Sequence, residues 1–140
     1  LGLFRKIVDE ISEHAAAALR IHSTGEPLLW ANLPHALDIL KEKSVKSWLF
    51  TCAVTTDLSL LEAICAAVSI IEVSVNSITT EDYQATKGID AFDLVMENIR
   101  YMHSRIGQDP ARRLIVSRVE SDQPEADQEF VVHAHSLRRL

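Results

Sequence analysis

The 140-residue sequence predicts an α/β domain in which parallel strands alternate with helices, and three observations carry that expectation. Residues 48–51 are a mostly apolar, aromatic run and residues 69–75 a run rich in β-branched side chains, as suits strands buried inside a parallel sheet. Between such runs, apolar residues recur at i, i+3 and i+4, as one face of a helix requires. No linker or break in composition divides the chain, so a single layered domain is the simplest assembly.

The elements follow in order. Leu3, Phe4, Ile7, Val8 and Ile11 repeat at helical spacing opposite Arg5, Lys6, Asp9 and Glu10, giving an amphipathic helix over residues 3–16. Residues 18–22 form a short strand, followed by a turn at Thr24-Gly25-Glu26-Pro27. Asn32 can cap a helix with Pro34 in its first turn, carrying Ala36, Leu37 and Leu40 and ending near Lys43. After the strand at 48–51, Thr56-Asp57 caps a helix through Leu58, Leu61 and Ile64. The strand at 69–75 leads to a short helical turn from Thr79 or Thr80 through Tyr83. Asp90 can cap a long helix whose Phe92, Val95, Met96, Ile99 and Met102 share one face, with Gly107 as its stop. A turn at Asp109-Pro110 precedes the fourth strand, residues 113–119, and Pro124 opens a last helix with Phe130, Val131 and Ala134. The order is α-βα-βα-βα-βα, which implies right-handed crossovers and a parallel sheet.

Composition excludes several classes of function. With 47% hydrophobic and 24% charged residues and only 4 Gly and 4 Pro, the chain is a packed globular sequence. A net charge of −6 argues against a nucleic-acid partner, since phosphate binding needs clustered Lys and Arg; the basic run Arg138-Arg139 reads as a frayed end. No apolar run approaches the ~20 residues of a membrane span, and the start lacks the zones of a signal peptide. No membrane partner is expected, and a cytoplasmic setting is the default. Cys52 and Cys65, 13 apart, match neither a disulfide framework nor a metal-ligand spacing and read as reduced thiols.

In open parallel α/β sheets the functional face lies at the carboxyl ends of the strands. The loops beginning at Ser23, Thr51, Ser74 and Ser117 would all open there, and the octapeptide His22-Ser-Thr-Gly-Glu-Pro-Leu-Leu29 lies among them. Thr24-Gly25-Glu26-Pro27 resembles the GGEP motif of radical S-adenosylmethionine (radical SAM) enzymes, and further segments follow in the family's order. Phe50-Thr51-Cys52-Ala53 is similar to its TNG segment, and Ile71-Glu72-Val73-Ser74-Val75-Asn76 to its ISVDG-like strand. Glu81-Asp82-Tyr83, Lys87-Gly88 and Phe92 through Glu97-Asn98-Ile99 resemble the stretch written ETYxxxRG…FxxVxENI.

The resemblance implies a partial (βα)6, TIM-like barrel, of which residues 1–140 would be one core segment lacking the first strand, the cluster loop and the last strand. It also implies an enzyme that binds S-adenosylmethionine beside a 4Fe–4S cluster. With an external electron donor, such an enzyme generates a 5′-deoxyadenosyl radical that abstracts hydrogen from its substrate, here a peptide or a small, sugar-like natural product. The defining CxxxCxxC loop is absent, and two cysteines cannot build it, because the cluster needs three closely spaced thiolates. The cluster ligands would then lie outside this chain. The alternative is a cluster-free, non-catalytic α/β module that serves in binding or interaction, and a CxxxCxxC upstream of Leu1 would separate the two.

The implied site has named parts. Gly25 permits close backbone approach and Pro27 fixes the turn, so that carbonyls from Thr24 to Glu26 accept from the cofactor's ammonium group. The hydroxyl of Ser74 and the guanidinium of Arg118 would meet the cofactor carboxylate, and Asn76 its ribose. The plainer alternatives are a strand-to-helix turn with Glu26 solvated or capping, a Ser74 that fills a small space, and an Arg118 on a solvated edge. Cys52, where the family has Asn, reads as a small buried thiol and Cys65 as core. His22 either lines the substrate cavity or is a satisfied histidine under the loop. His133 and His135 are assigned no site, and the Phe92 and Met96 stripe is packing.

Overall fold

The computed structural model describes residues 1–14, 18–22, 24–107, 109–119 and 124–136, with the side chains of 135 and 136 left aside. Sequence expectations that fall on 15–17, Ser23 and Arg138-Arg139 lie outside the described residues. Four strands, β1 (Leu19–Ile21), β2 (Ser47–Thr51), β3 (Ile70–Ser74) and β4 (Arg113–Ser117), form one sheet in the order β1-β2-β3-β4, every pair parallel. The expected α/β class and parallel sheet are what the chain forms. A sequential strand order with right-handed crossovers puts every connecting helix on the same face. One face of the sheet is therefore covered and the other is open.

The covered face is apolar because successive side chains of a strand point to opposite sides. Leu49, Ile71 and Val73 are completely buried there. Helix α1 (Gly2–Ser12) buries Val8 and packs on α2 (Leu33–Lys43), to which it is tied by Lys43 on Asp9 at 2.8 Å and Arg5 on Glu42 at 3.3 Å. These exposed pairs set orientation more than stability. Helix α3 (Leu58–Ala67) starts where the Asp57 carboxylate accepts from the Leu60 N–H at 3.0 Å, the cap expected from the sequence. Its last carbonyls are satisfied by Arg112, whose guanidinium donates to the oxygens of Cys65, Ala66 and Val68.

Helix α4 (Thr80–Lys87), capped by Thr79, runs a full turn beyond the short segment expected and stops at Gly88 in the left-handed region. Helix α5 (Phe92–Ile106) buries Phe92, Val95, Met96, Ile99 and Met102 as its stripe predicts. Its N-cap is Ala91, without a side-chain bond, and not Asp90. Gly107 ends it in a right-handed conformation, so no left-handed cap is used. Helix α6 (Pro124–Ser136) returns Phe130 to the core.

Candidate functional site

The carboxyl ends of β1, β2 and β3 gather one polar cluster, and its centre is Glu26. That residue caps a 3₁₀ turn, Pro27–Leu29, by accepting from the Leu28 N–H at 3.1 Å. The same carboxylate accepts from the Thr51 hydroxyl and from the Cys52 N–H, the latter at 2.7 Å. Glu26 is thus the clasp that ties the loop after β1 to the end of β2. Its side chain caps, as the plainer alternative had it, and its carbonyl accepts from the Leu29 N–H at 3.1 Å.

Gly25 is exposed on this turn. A Cβ at this position would meet no atom of the chain within 4 Å, and the backbone is not left-handed, so the fold itself does not demand glycine. Thr24 is exposed, Pro27 is half-buried, and a cavity of about 460 Å³ opens beside the turn against Ile21, His22, Gly25, Glu26 and Trp30. A larger cavity, about 540 Å³, lies among α5, β4 and α6 on the helix side, where Ile99, Val116 and Phe130 line it, away from this cluster.

Ser74 closes β3 in register with Ser117, is 8% exposed, and accepts a hydrogen bond from Lys87 Nζ at 3.3 Å. A hydroxyl that accepts from an ammonium keeps its own proton free to donate onward, so the pair presents two donors and one positive charge side by side. The sequence reading gave Lys87 no role. The extra turn of α4 carries it to Ser74, and the signal for it was the Lys87-Gly88 pair, a basic residue at a glycine-capped helix end.

Asn76 adopts φ 65° and its Oδ1 accepts from the Val119 N–H at 3.0 Å, joining the ends of β3 and β4. Its Nδ2 has no partner among the described residues, which leaves a donor for a ligand. Arg118 is placed differently from the expectation. One residue past Ser117, it shares the alternation of Leu114 and Val116 and turns to the helix side, where it pairs with Asp127 at 3.0 Å, donates to the Ala126 carbonyl at 2.9 Å and lies over the Phe130 ring. It fastens α6 and does not join Ser74.

Cys52, expected to be a small buried thiol, is half-buried; burial, then the neighbouring Glu26 carboxylate, raises its thiol pKa. Cys65 is buried as expected, and desolvation pushes it up to about 11. Tyr83, completely buried, is pushed up to about 12 by burial and by the charges of Cys52 and Glu26. Behind this group, Asn98, 3% exposed, donates to the carbonyls of Ala53 at 2.9 Å and Thr55 at 2.8 Å. That grip holds Ala53 at φ 56°, the left-handed turn that aims the Cys52 N–H at Glu26. His22, exposed, meets the edge of Phe50 at 4.7 Å between ring centroids on the open face.

The residues of this chain do not fit a 4Fe–4S cluster: there are two cysteines, one half-buried and one core, and no group of three His, Cys, Asp or Glu side chains among the described residues could hold a metal. No described helix is long and apolar enough to cross a membrane.

No protein-family model matches this chain, and no curated protein does. Solved structures do. Streptococcus suis SuiB superposes with a TM-score of 0.79 at 15% identity, over 96% of this chain and 30% of that one. SuiB bound to its precursor peptide SuiA gives 0.77 at 15% identity over the same shares. SuiB bound to S-adenosylmethionine gives 0.74 at 14% identity, over 96% and 31%. The chain spans about a third of the length of these proteins, and at such identities the likeness is one of fold: the four-stranded, one-sided α/β sheet is an architecture SuiB also contains.

Proposed function

We propose that this chain is the S-adenosylmethionine-binding core of a radical SAM-type enzyme whose substrate is a peptide or a small natural product. The observation that carries the reading is the Ser74–Lys87 pair at the end of β3, facing a turn pinned by Glu26, in a fold shared with a protein whose structure holds S-adenosylmethionine. That cofactor is an amino acid at one end, with an anionic carboxylate and a cationic ammonium. Lys87 and Ser74 supply the charge and the hydrogen bond for the carboxylate, the role the sequence had assigned to Ser74 with Arg118. Carbonyls of Thr24 to Glu26 accept from the ammonium, and Asn76 Nδ2 donates to the ribose. The Glu26 clasp keeps the two halves in one geometry, so little ordering is left for binding to do.

S-adenosylmethionine, when reduced at its sulfonium, supplies the carbon radical of this chemistry; no step through a cluster is assigned to these residues. The peptide in the SuiA complex supports a peptide substrate, and the alternative of a purely binding module shares the same ligand site. Titration of the protein with S-adenosylmethionine tests the reading. Wild type should bind, Lys87→Met and Ser74→Ala should each weaken binding about tenfold, and exposed Lys41→Met should not change it. Equal affinities across all four proteins would remove the site.

A further inference from the structure

The open face of the sheet is built unlike a packed barrel interior, which branched apolar residues would fill. Its rows run across the strands in register. Arg20, Trp48, Ile70 and Arg113 form the lowest row, and Phe50, Glu72 and Ile115 the next. Ser74 and Ser117 stand above them. We propose that Glu72 selects the charge of the substrate by pairing with a cationic group, an ammonium or guanidinium, that enters over this face.

The placement of Glu72 carries the inference. Both of its cross-strand neighbours, Phe50 and Ile115, are apolar and offer no hydrogen bond. Its carboxylate is only partly exposed and has no hydrogen-bond or ion-pair partner among the described residues. Packing does not require it, because the core of β3 is supplied by Ile71 and Val73 on the other face. The two guanidiniums of the lowest row do not neutralise it: Arg20 lies 4.9 Å over the Trp48 ring, and Arg113 forms no ion pair with it.

Glu72 also sits where a substrate would be read. It is one row, roughly 7 Å, below the Ser74–Lys87 pair. Beside it, the Phe50 ring, met edge-on by the His22 imidazole, gives an aromatic wall that can take the methylenes of an extended cationic side chain while the carboxylate takes its charge. An anionic substrate end would be repelled from the same spot. The inference rests on the proposed reading for the occupant of Ser74 and Lys87, but the preference for a cation does not need that occupant.

Two probes of nearly equal shape test it on the full-length protein: Nα-acetyl-lysine methylamide, which is cationic, and Nα-acetyl-6-hydroxynorleucine methylamide, in which a neutral hydroxyl replaces the ammonium, titrated with and without S-adenosylmethionine. Wild type should bind the cationic probe about tenfold more tightly. Glu72→Gln should bring the ratio to about one, and Glu72→Asp should restore part of it, with circular dichroism unchanged in both because neither side chain is in the core. Equal binding of the probes by wild type, or an undiminished ratio in Glu72→Gln, would overturn the proposal. If the ratio behaves as expected while S-adenosylmethionine fails to bind, the cation site stands and the cofactor reading falls. A bound cofactor with no cation preference is the reverse case, and sinks only the Glu72 assignment.

Discussion

The two faces of one sheet divide the work of this molecule. On the covered face, Leu49, Ile71 and Val73 are wholly buried against the helices, with only the small hydroxyl residues Ser47 and Thr51 beside them at the ends of β2. On the open face the same strands alternate to Arg20, Trp48, Glu72 and Ser74, a mixture that a closed core would not tolerate. Because the strand period is two, a single chain segment writes both messages, and each substitution should register on one face only.

The largest effect belongs to the covered face. Ile71→Ala should cost about 3–4 kcal/mol, read from the urea midpoint, because a filled site between helices collapses only partly. Glu72→Ala, its neighbour, should cost under about 0.5 kcal/mol. Comparable losses from the two would mean that the open face is packed after all.

Asn98 ties α5 to the loop after β2, so its loss should be felt in that loop as well as in overall stability. Asn98→Ala leaves two carbonyls without donors and should cost about 2 kcal/mol. If its task is to hold Ala53 in the left-handed turn, Ala53→Gly should recover part of that cost in the double variant, since glycine adopts φ near 56° without strain. No recovery would make Asn98 a packing residue only.

A smaller effect is read in thiol chemistry. Iodoacetamide labelling of Cys52 should rise with pH through a midpoint above that of an ordinary thiol, because burial and the Glu26 carboxylate both disfavour the thiolate. Glu26→Gln removes the charge and should lower that midpoint while burial keeps it raised. The sign for stability follows: a thiol whose pKa is raised by folding contributes stability below the unfolded value, and loses it as pH climbs through the folded one. The least effect on folding is expected at Gly25→Ala, whose new methyl meets no chain atom; it should leave the urea midpoint unchanged and still weaken S-adenosylmethionine binding.

Much of this was legible in the sequence where local rules act alone. Asp57 before an apolar run is a cap by its side-chain reach, and the α5 stripe follows from helical spacing. Arg118 was misplaced for want of a count: stepping by two from Leu114 and Val116 puts it on the helix side, where Asp127 waits. Lys87 was hidden because its reach to Ser74 depends on α4 continuing a turn past Tyr83, and tertiary packing of Tyr83 decides that. Glu26 stands out in the sequence through its motif, yet its three-way clasp joins segments 25 positions apart, which no local pattern encodes.

The central claim is that Lys87 and Ser74 read a carboxylate, and a pair of ligands tests it most directly. S-adenosylmethionine and its decarboxylated analogue differ in that group alone. Titrated into wild type, the first should bind about tenfold more tightly than the second, and Lys87→Met should erase the difference by weakening only the first. Equal affinity of wild type for the two ligands, or a preference that survives in Lys87→Met, would contradict the account.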